Sequence, residues 1–298
     1  MKILVTGAAG FIGSHLCDRL VKDHQVVGVD NLSLGKRENV AHLNSNKRFT
    51  FHKVDIKNLK DFDNIFKMHS FDAVFHLAAC SDISRGSPKL DFNDTFFTTM
   101  IILDKCKERK INQVVFASSG SIYGETRRTV SEDDGPLLPI SHYAAAKLSS
   151  EAWISSYSAM YDIKAWLCRL PNVVGERMTH GCIHDFKDRL KVAPKILQVF
   201  GDGSQTKPYM YVKDCVDAMV FIWQNAKDRI NYFNLSGIGQ TSVKEIAELV
   251  AGDAEIVYQG GDRGWNGDSP YYSCSVDKLK KLGWTPKRNS LEAIKKSI

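Results

Sequence analysis

Six short apolar runs, separated by stretches with helical spacing, constrain this chain more than any other feature. The runs are "KILVT" (2–6), "QVVGV" (25–29), "FTFHKV" (49–54), "DAVFHL" (72–77), "QVVFAS" (113–118) and "KAWLCRL" (164–170). Helical patterns occupy 11–22, 58–68, 96–109 and 142–161. Runs that stay apolar without alternating suit strands buried on both faces, as in a parallel sheet. Parallel neighbours need crossovers, and right-handed crossovers lead to an α/β sandwich. The expected fold is a doubly wound parallel sheet with a smaller C-terminal α/β lobe.

The pattern changes after about residue 171. Residues 172–210 read as irregular, rich in Gly, Pro and His. A helix at 214–226 and a strand at 231–235 follow, then smaller elements. No flexible linker separates the parts. The expected division is 1–171 for the sheet and 172–298 for the lobe, with 211–235 returning to the sheet.

Bulk composition removes several classes. With 298 residues, 43% hydrophobic and 25% charged, the chain reads as an ordinary globular protein. The net charge of +6 is modest and its basic residues are scattered, so no nucleic-acid partner is expected. No stretch approaches the roughly 20 apolar residues needed to span a bilayer, so no membrane partner is expected either. The apolar start is short, broken by Gly7, and followed by no cleavage site, which argues against a signal peptide. Seven cysteines without a C-x-x-C pair read as reduced thiols, and the expected location is the cytoplasm. His180, Cys182 and His184 cluster in "THGCIHDF", but no second cluster supplies a fourth ligand and Gly181 suggests a loop. No metal is expected.

The first strand runs straight into "GAAGFIG", placing Gly7, Gly10 and Gly13 at a strand-to-helix turn. Glycines there let the backbone approach a pyrophosphate, and the helix N-terminus offers free N–H groups. About 20 residues on, Asp30 ends the second strand. A carboxylate at this point accepts hydrogen bonds from an adenosine ribose and repels a 2′-phosphate, which favours NAD over NADP. Asp55 ends the third strand. It either contacts the adenine amino group or caps the helix at 58–68.

Several segments then fall in a familiar order. "TGAAGFIG", Asp30-Asn31-Leu32-Ser33, "VDI", "HLAA", "SSGSIYG", "YAAAK", "RLPNVVG", "VFGDGSQTKPYMYVKD", "FNLSG" and "LGWTP" run through nearly the whole chain. In this it resembles the extended short-chain dehydrogenase/reductases, and within them the NAD-dependent nucleotide-sugar epimerases of the UDP-glucose 4-epimerase type. The resemblance implies a Rossmann-type sheet, NAD as cofactor, a nucleotide-sugar substrate and a homodimer built on helices 96–109 and 142–161. It implies cofactor contacts at Gly7, Gly10, Phe11, Ile12, Gly13, Asp30, Asn31, Leu32, Ser33, Asp55, Ile56, Leu77, Ala78, Ala79, Thr95, Tyr143, Lys147 and Pro171. Substrate contacts are implied at Ser81, Ser119, Asn172, Gln198, Phe200, Lys207, Arg263, Asp268 and Tyr272. Three positions depart from the family pattern. Thr95 stands where an Asn is usual, Lys207 where an Arg is usual, and "RGWNGD" is two residues longer than the usual "RPGD".

Within that framework Ser119, Tyr143 and Lys147 form the expected catalytic set. Tyr143 and Lys147 lie one helical turn apart on one face. A free phenol titrates near 10. A nearby ammonium together with the positive nicotinamide favours the phenolate, so the expectation is a Tyr143 pKa moved towards about 7. The alanines between them leave room for cofactor and substrate. Ser119 follows the fifth strand and bridges Tyr143 to a sugar hydroxyl. Related 4,6-dehydratases carry Asp-Glu in the next two positions, and related decarboxylases a Glu in the second. Gly120 and Ser121 stand there instead, which leaves reversible oxidation at one carbon, most simply C4. The alternatives are a ketoreductase or dehydrogenase of the same family, or a non-catalytic NAD-binding sensor. Aligning Asp268-Ser269-Pro270 with the family segment places Tyr272 beside C2 of the sugar, which favours an unsubstituted hexose. A one-residue shift of register would bring Ser273 or Cys274 there and reverse that preference.

Overall fold

The computed structural model describes residues 1–81, 86–265 and 267–298. Asn266 of the "RGWNGD" segment lies outside them. In chain order the strands are β1 (Lys2–Thr6), β2 (Gln25–Asp30), β3 (Phe49–Lys53), β4 (Ala73–His76), β5 (Gln113–Ser119), β6 (Lys164–Leu170), β7 (Asn172–Val174), β8 (Ile196–Val199), β9 (Thr206–Lys207), β10 (Tyr209–Tyr211), β11 (Ile230–Asn234), β12 (Thr241–Ser242) and β13 (Glu255–Tyr258). The helices are α1 (Phe11–Leu20), α2 (Glu38–Ala41), α3 (Leu59–Met68), α4 (Pro88–Asp91), α5 (Thr98–Arg109), α6 (His142–Tyr161), α7 (Cys182–Val192), α8 (Val212–Asn225), α9 (Val243–Ala251), α10 (Asp277–Leu282) and α11 (Ser290–Ser297).

Seven strands form one sheet in the order β3-β2-β1-β4-β5-β6-β11, and every pairing is parallel. The unbroken apolar runs are explained by burial on both faces. Ile3 and Val5 of β1 enter one core, and Leu4 between them enters the other. In β5, Val115 and Ala117 face the first core while Val114 and Phe116 face the second. The strand order reverses between β1 and β4. A crevice therefore opens at their C-terminal ends, where parallel sheets bind ligands.

Helix ends follow local chemistry. Asn58 accepts from Asp61 N at the start of α3. Ser141 accepts from Ala144 N at the start of α6, and Asp162 ends that helix in the left-handed region. The helix expected at 96–109 begins earlier. Ser87 caps α4 with Pro88 in its first turn, and a π-turn at Phe92–Phe97 carries α4 into α5.

The segment 172–210, expected to be irregular, holds β7, α7, β8, β9 and β10. Its strands are two to four residues long, too short to show a period. Gly181, expected in a loop, is the N-cap of α7 with φ +98°. These pieces pair as β7–β10, β8–β13 and β9–β12 around a third core that includes Ile183, Phe186, Leu197, Val199 and Ile246. After β10, α8 packs against α1 and β6, and β11 pairs with β6 at the edge of the large sheet.

Candidate active site

A cavity of about 860 Å³ runs from the switch point of the sheet into the C-terminal lobe. Gly7, Gly10 and Gly13 line one end. The turn is packed backbone to backbone. A Cβ on Gly13 would lie 2.0 Å from Gly7 O, and one on Gly7 would lie 2.9 Å from Ala78 N. Gly7 also has φ +69°. No side chain caps the N-terminus of α1, so its first amides face the cavity uncapped. This arrangement fits a dinucleotide pyrophosphate.

Asp30 is 8% exposed and lies on the same wall. Ala9 N donates to its Oδ2 at 2.9 Å and Leu32 N to its Oδ1 at 2.7 Å. Burial pushes its carboxyl up from the usual range, against those amide hydrogen bonds. Asp55 also lines the cavity. Its two sequence readings separate here, because Asn58 caps α3 and Asp55 instead accepts from Lys57 N (2.9 Å) and Asn31 Nδ2 (3.2 Å). Phe11, Ile12, Asn31, Ser33, Ile56, Leu77, Ala78, Ala79 and Pro171 are on the wall as well.

Two expected cofactor contacts are not. Leu32 has φ +62° and packs towards the first core, leaving only its amide on Asp30. Thr95 is fully buried behind the wall, where its Oγ1 accepts from Cys80 N at 3.3 Å. Its π-turn presents Asp94, and the start of α5 presents Thr98. Asp94 pairs with Lys57, so the two close one side of the cavity. A lysine four residues past the end of β3 gave no sequence signal for that.

Ser119, Tyr143 and Lys147 meet in the middle of the cavity. β5 ends at Ser119, whose Oγ accepts from Ser121 N (3.2 Å) and Ser121 Oγ (2.9 Å). Ser119 lies beside the Tyr143 phenol and favours its ionised form. Burial outweighs this and, with Asp91 nearby, pushes Tyr143 up to about 12. The expectation of a value of about 7 counts the positive nicotinamide as well; among the chain's own groups, burial prevails. Lys147 Nζ is turned to the Ala117 carbonyl (2.6 Å) and lies 4.7 Å over the Phe116 ring and 5.7 Å over the Tyr143 ring. Lys147 is 2% exposed, and burial brings it down to about 7 against the opposing pull of Glu151.

At the far end, Ser81, Asn172, Phe200, Lys207, Asp268 and Tyr272 line the cavity. Lys207 pairs with Asp268, which is 7% exposed. Two expected contacts miss the wall. On β8 the alternation buries Leu197 and Val199 and turns Gln198 outward, where its carbonyl accepts from Arg189. Arg263 is taken up by Glu125 at 2.9 Å on the rim. In their place the wall carries Arg189, stacked 3.8 Å over the Phe200 ring, with Gln205 and Trp265. The 183/186/190 apolar spacing of α7 is the sequence signal that locates Arg189 on a helix; Gln205 and Trp265 had none.

Residues 3–235 match the model of the NAD dependent epimerase/dehydratase family. The chain belongs to that family. It is an epimerase enzyme of the family, with NAD as its cofactor. A putative UDP-glucose 4-epimerase of Methanocaldococcus jannaschii is 31% identical, with 99% of this chain and 97% of that protein covered. A crystal structure of a UDP-galactose 4-epimerase superposes with a TM-score of 0.88 at 36% identity, covering 100% of this chain and 97% of that one. A UDP-glucuronic acid 4-epimerase from Bacillus cereus, in complex with UDP-glucuronic acid and NAD, gives a TM-score of 0.89 at 30% identity, covering 100% and 98%.

Proposed function

We propose that this enzyme inverts C4 of a UDP-hexose through a transient 4-keto sugar. The observation that carries the reading is the position of Ser119, Tyr143 and Lys147. They stand between a glycine turn fitted to a dinucleotide and a lobe that carries Lys207, Asp268 and Phe200 on the same cavity. The UDP-sugar 4-epimerase names of its relatives support it.

When bound, NAD supplies a reversible two-electron acceptor. The chain's own residues do the rest. Gly7, Gly10 and Gly13 with the start of α1 hold its pyrophosphate, and Asp30 holds the adenosine ribose. Lys147 reaches the other ribose and, with the cofactor's positive charge, offsets the burial that holds Tyr143 up. Tyr143 takes the proton from the C4 hydroxyl and later returns one, with Ser119 holding the hydroxyl in line. Gly120 and Ser121 offer no carboxylate for eliminating water. Asn172, Phe200 and Lys207 hold the nucleotide diphosphate, so the sugar alone is free to turn. Tyr272 limits the room beside C2 and favours an unsubstituted hexose.

The reading includes a homodimer in the cytoplasm. Ile101, Ile102, Leu103 and Ile154 face the core, while Phe92 and Phe97 of the π-turn before α5 and Trp153 and Met160 of α6 stay exposed. All seven cysteines are free thiols, which supports a reducing compartment. The test is to incubate the NAD-loaded protein with UDP-glucose or UDP-galactose and follow the sugar by NMR. Interconversion is expected. Net reduction with consumption of NADH would favour the ketoreductase reading instead.

A further inference from the structure

Gly120, next to Ser119, has no side chain, and Tyr272 fills the space where one would stand. A Cβ on Gly120 would lie 2.2 Å from the Tyr272 hydroxyl oxygen, 2.4 Å from its Cζ and 2.8 Å from its Cε1. A second face of the tyrosine stacks on Tyr123, with centroids 6.4 Å apart and planes at 29°. Tyr123 is itself fixed, donating to Asn234 Oδ1 and accepting from Arg169 Nη1, both at 2.8 Å. The backbone of Tyr272 is held by Thr206 O (3.2 Å) and Gln240 Nε2 (2.6 Å). Its remaining side is the cavity. Tyr272 is 8% exposed, and its hydroxyl makes no hydrogen bond of ordinary geometry, with only the weakly bonding Cys274 thiol beside it. A buried hydroxyl in that state is costly unless a ligand satisfies it.

We propose that Gly120 is a specificity-determining residue, because its missing side chain gives Tyr272 the seat that sets the room beside the sugar. The inference rests on the UDP-hexose reading above. Bulk at 272 alone does not fix that room; how deeply the ring is seated does. Gly120 opens the 3-10 turn Gly120–Tyr123 and lies outside the left-handed region, so alanine is allowed there. The atoms that a methyl group would meet belong to the end of the Tyr272 side chain, so that side chain gives way and the backbone does not. The open direction is the cavity, and the ring tip moves into the space of the sugar.

The test is a double-mutant cycle on the full, NAD-loaded chain with Gly120→Ala, Tyr272→Ser and both together. kcat/KM is read on UDP-glucose and UDP-N-acetylglucosamine, alongside thermal unfolding. Gly120→Ala lowers kcat/KM for UDP-glucose by about tenfold or more in the wild-type background, and by less than about twofold in the Tyr272→Ser background. Its thermal midpoint falls only where Tyr272 is present. Equal losses in both backgrounds, or none in either, overturn the proposal. Failure of the functional reading looks different. The wild-type enzyme would turn over no UDP-hexose while the thermal cycle still showed the coupling, and that outcome overturns the proposal through its premise while the packing stands.

Discussion

The two ends of the cavity are built from different kinds of segment. At the cofactor end one strand, one turn and one helix, consecutive in sequence, supply Gly7 to Gly13, and the next strand supplies Asp30. At the sugar end the wall is assembled from α7, the stretch after β8, β9, Gly264, Trp265 and the 267–272 segment, which lie far apart in the chain. A contiguous segment fixes its own geometry through strand, turn and helix rules. A wall gathered from short pieces depends on which face each piece presents, and two to four residues do not reveal that.

The largest effect expected is at the point where both ends meet. Tyr143→Phe removes one oxygen and no backbone contact. Turnover falls by at least roughly 10²–10⁴-fold. NAD affinity and thermal midpoint stay near wild type. Kinetics, NAD titration and a melting curve check this together. A variant retaining more than about a tenth of wild-type turnover would place the base elsewhere.

The next effect separates the ends. Asp30→Ser removes a buried carboxylate that orders the Ala9 and Leu32 amides. NAD affinity drops about 10- to 100-fold, the value of one or two charge-assisted hydrogen bonds, and the preference over NADP narrows. UDP-sugar affinity at the other end is unchanged. Binding measured on cofactor-free protein decides it. Wild-type protein that binds NADP as tightly as NAD would sink the ribose assignment.

A smaller effect comes from the buried lysine between the ends. Lys147 is lowered to about 7 by burial, while in the unfolded chain it holds its proton to about 10.5. Below about pH 7 both states carry the proton and the full cost of burying the charge remains. As pH rises towards 10.5 the folded state is neutral and stability increases. Lys147→Met in cofactor-free protein therefore raises the thermal midpoint more at pH 6 than at pH 9. The bond to the Ala117 carbonyl is stronger at pH 6, where the ammonium donates it, and the net lowering shows that burial outweighs that gain. A gain that is no larger at pH 6 would show that Lys147 keeps its charge hydrated.

The same contrast explains what could be read in advance. The strand runs gave the sheet, its parallel sense and its crevice because burial on both faces leaves an unbroken apolar signature, as Ile3, Leu4 and Val5 show. Asp30 and the glycines followed from position alone. The π-turn escaped because Phe92–Phe97 keeps helical spacing while shifting which residue faces the cavity, from Thr95 to Asp94 and Thr98. The direction of Lys147 was not legible, because a one-turn spacing tells how close two side chains are and not where the ammonium points; here it points to the Ala117 carbonyl. Tyr272 was legible through its segment, but its seat on Gly120 joins residues 152 apart in sequence.

The smallest effect tests the sugar end against itself. Gln198 and Lys207 sit nine residues apart on neighbouring pieces of the lobe, and only Lys207 reaches the cavity. Gln198 is exposed on the outer face of β8, and its carbonyl, which any residue would supply, makes the bond to Arg189. Gln198→Ala should leave KM for the nucleotide sugar, kcat and NAD affinity within about twofold of wild type, as exposed substitutions away from such features do. Lys207→Ala removes a cation from the wall and leaves the buried Asp268 carboxylate facing the diphosphate, so KM should rise by about tenfold or more with NAD affinity unchanged. Steady-state kinetics on the two variants, run side by side, read the difference. If Gln198→Ala raised KM as much as Lys207→Ala, β8 would turn its other face to the substrate, and the strand's alternation would have to shift by one residue.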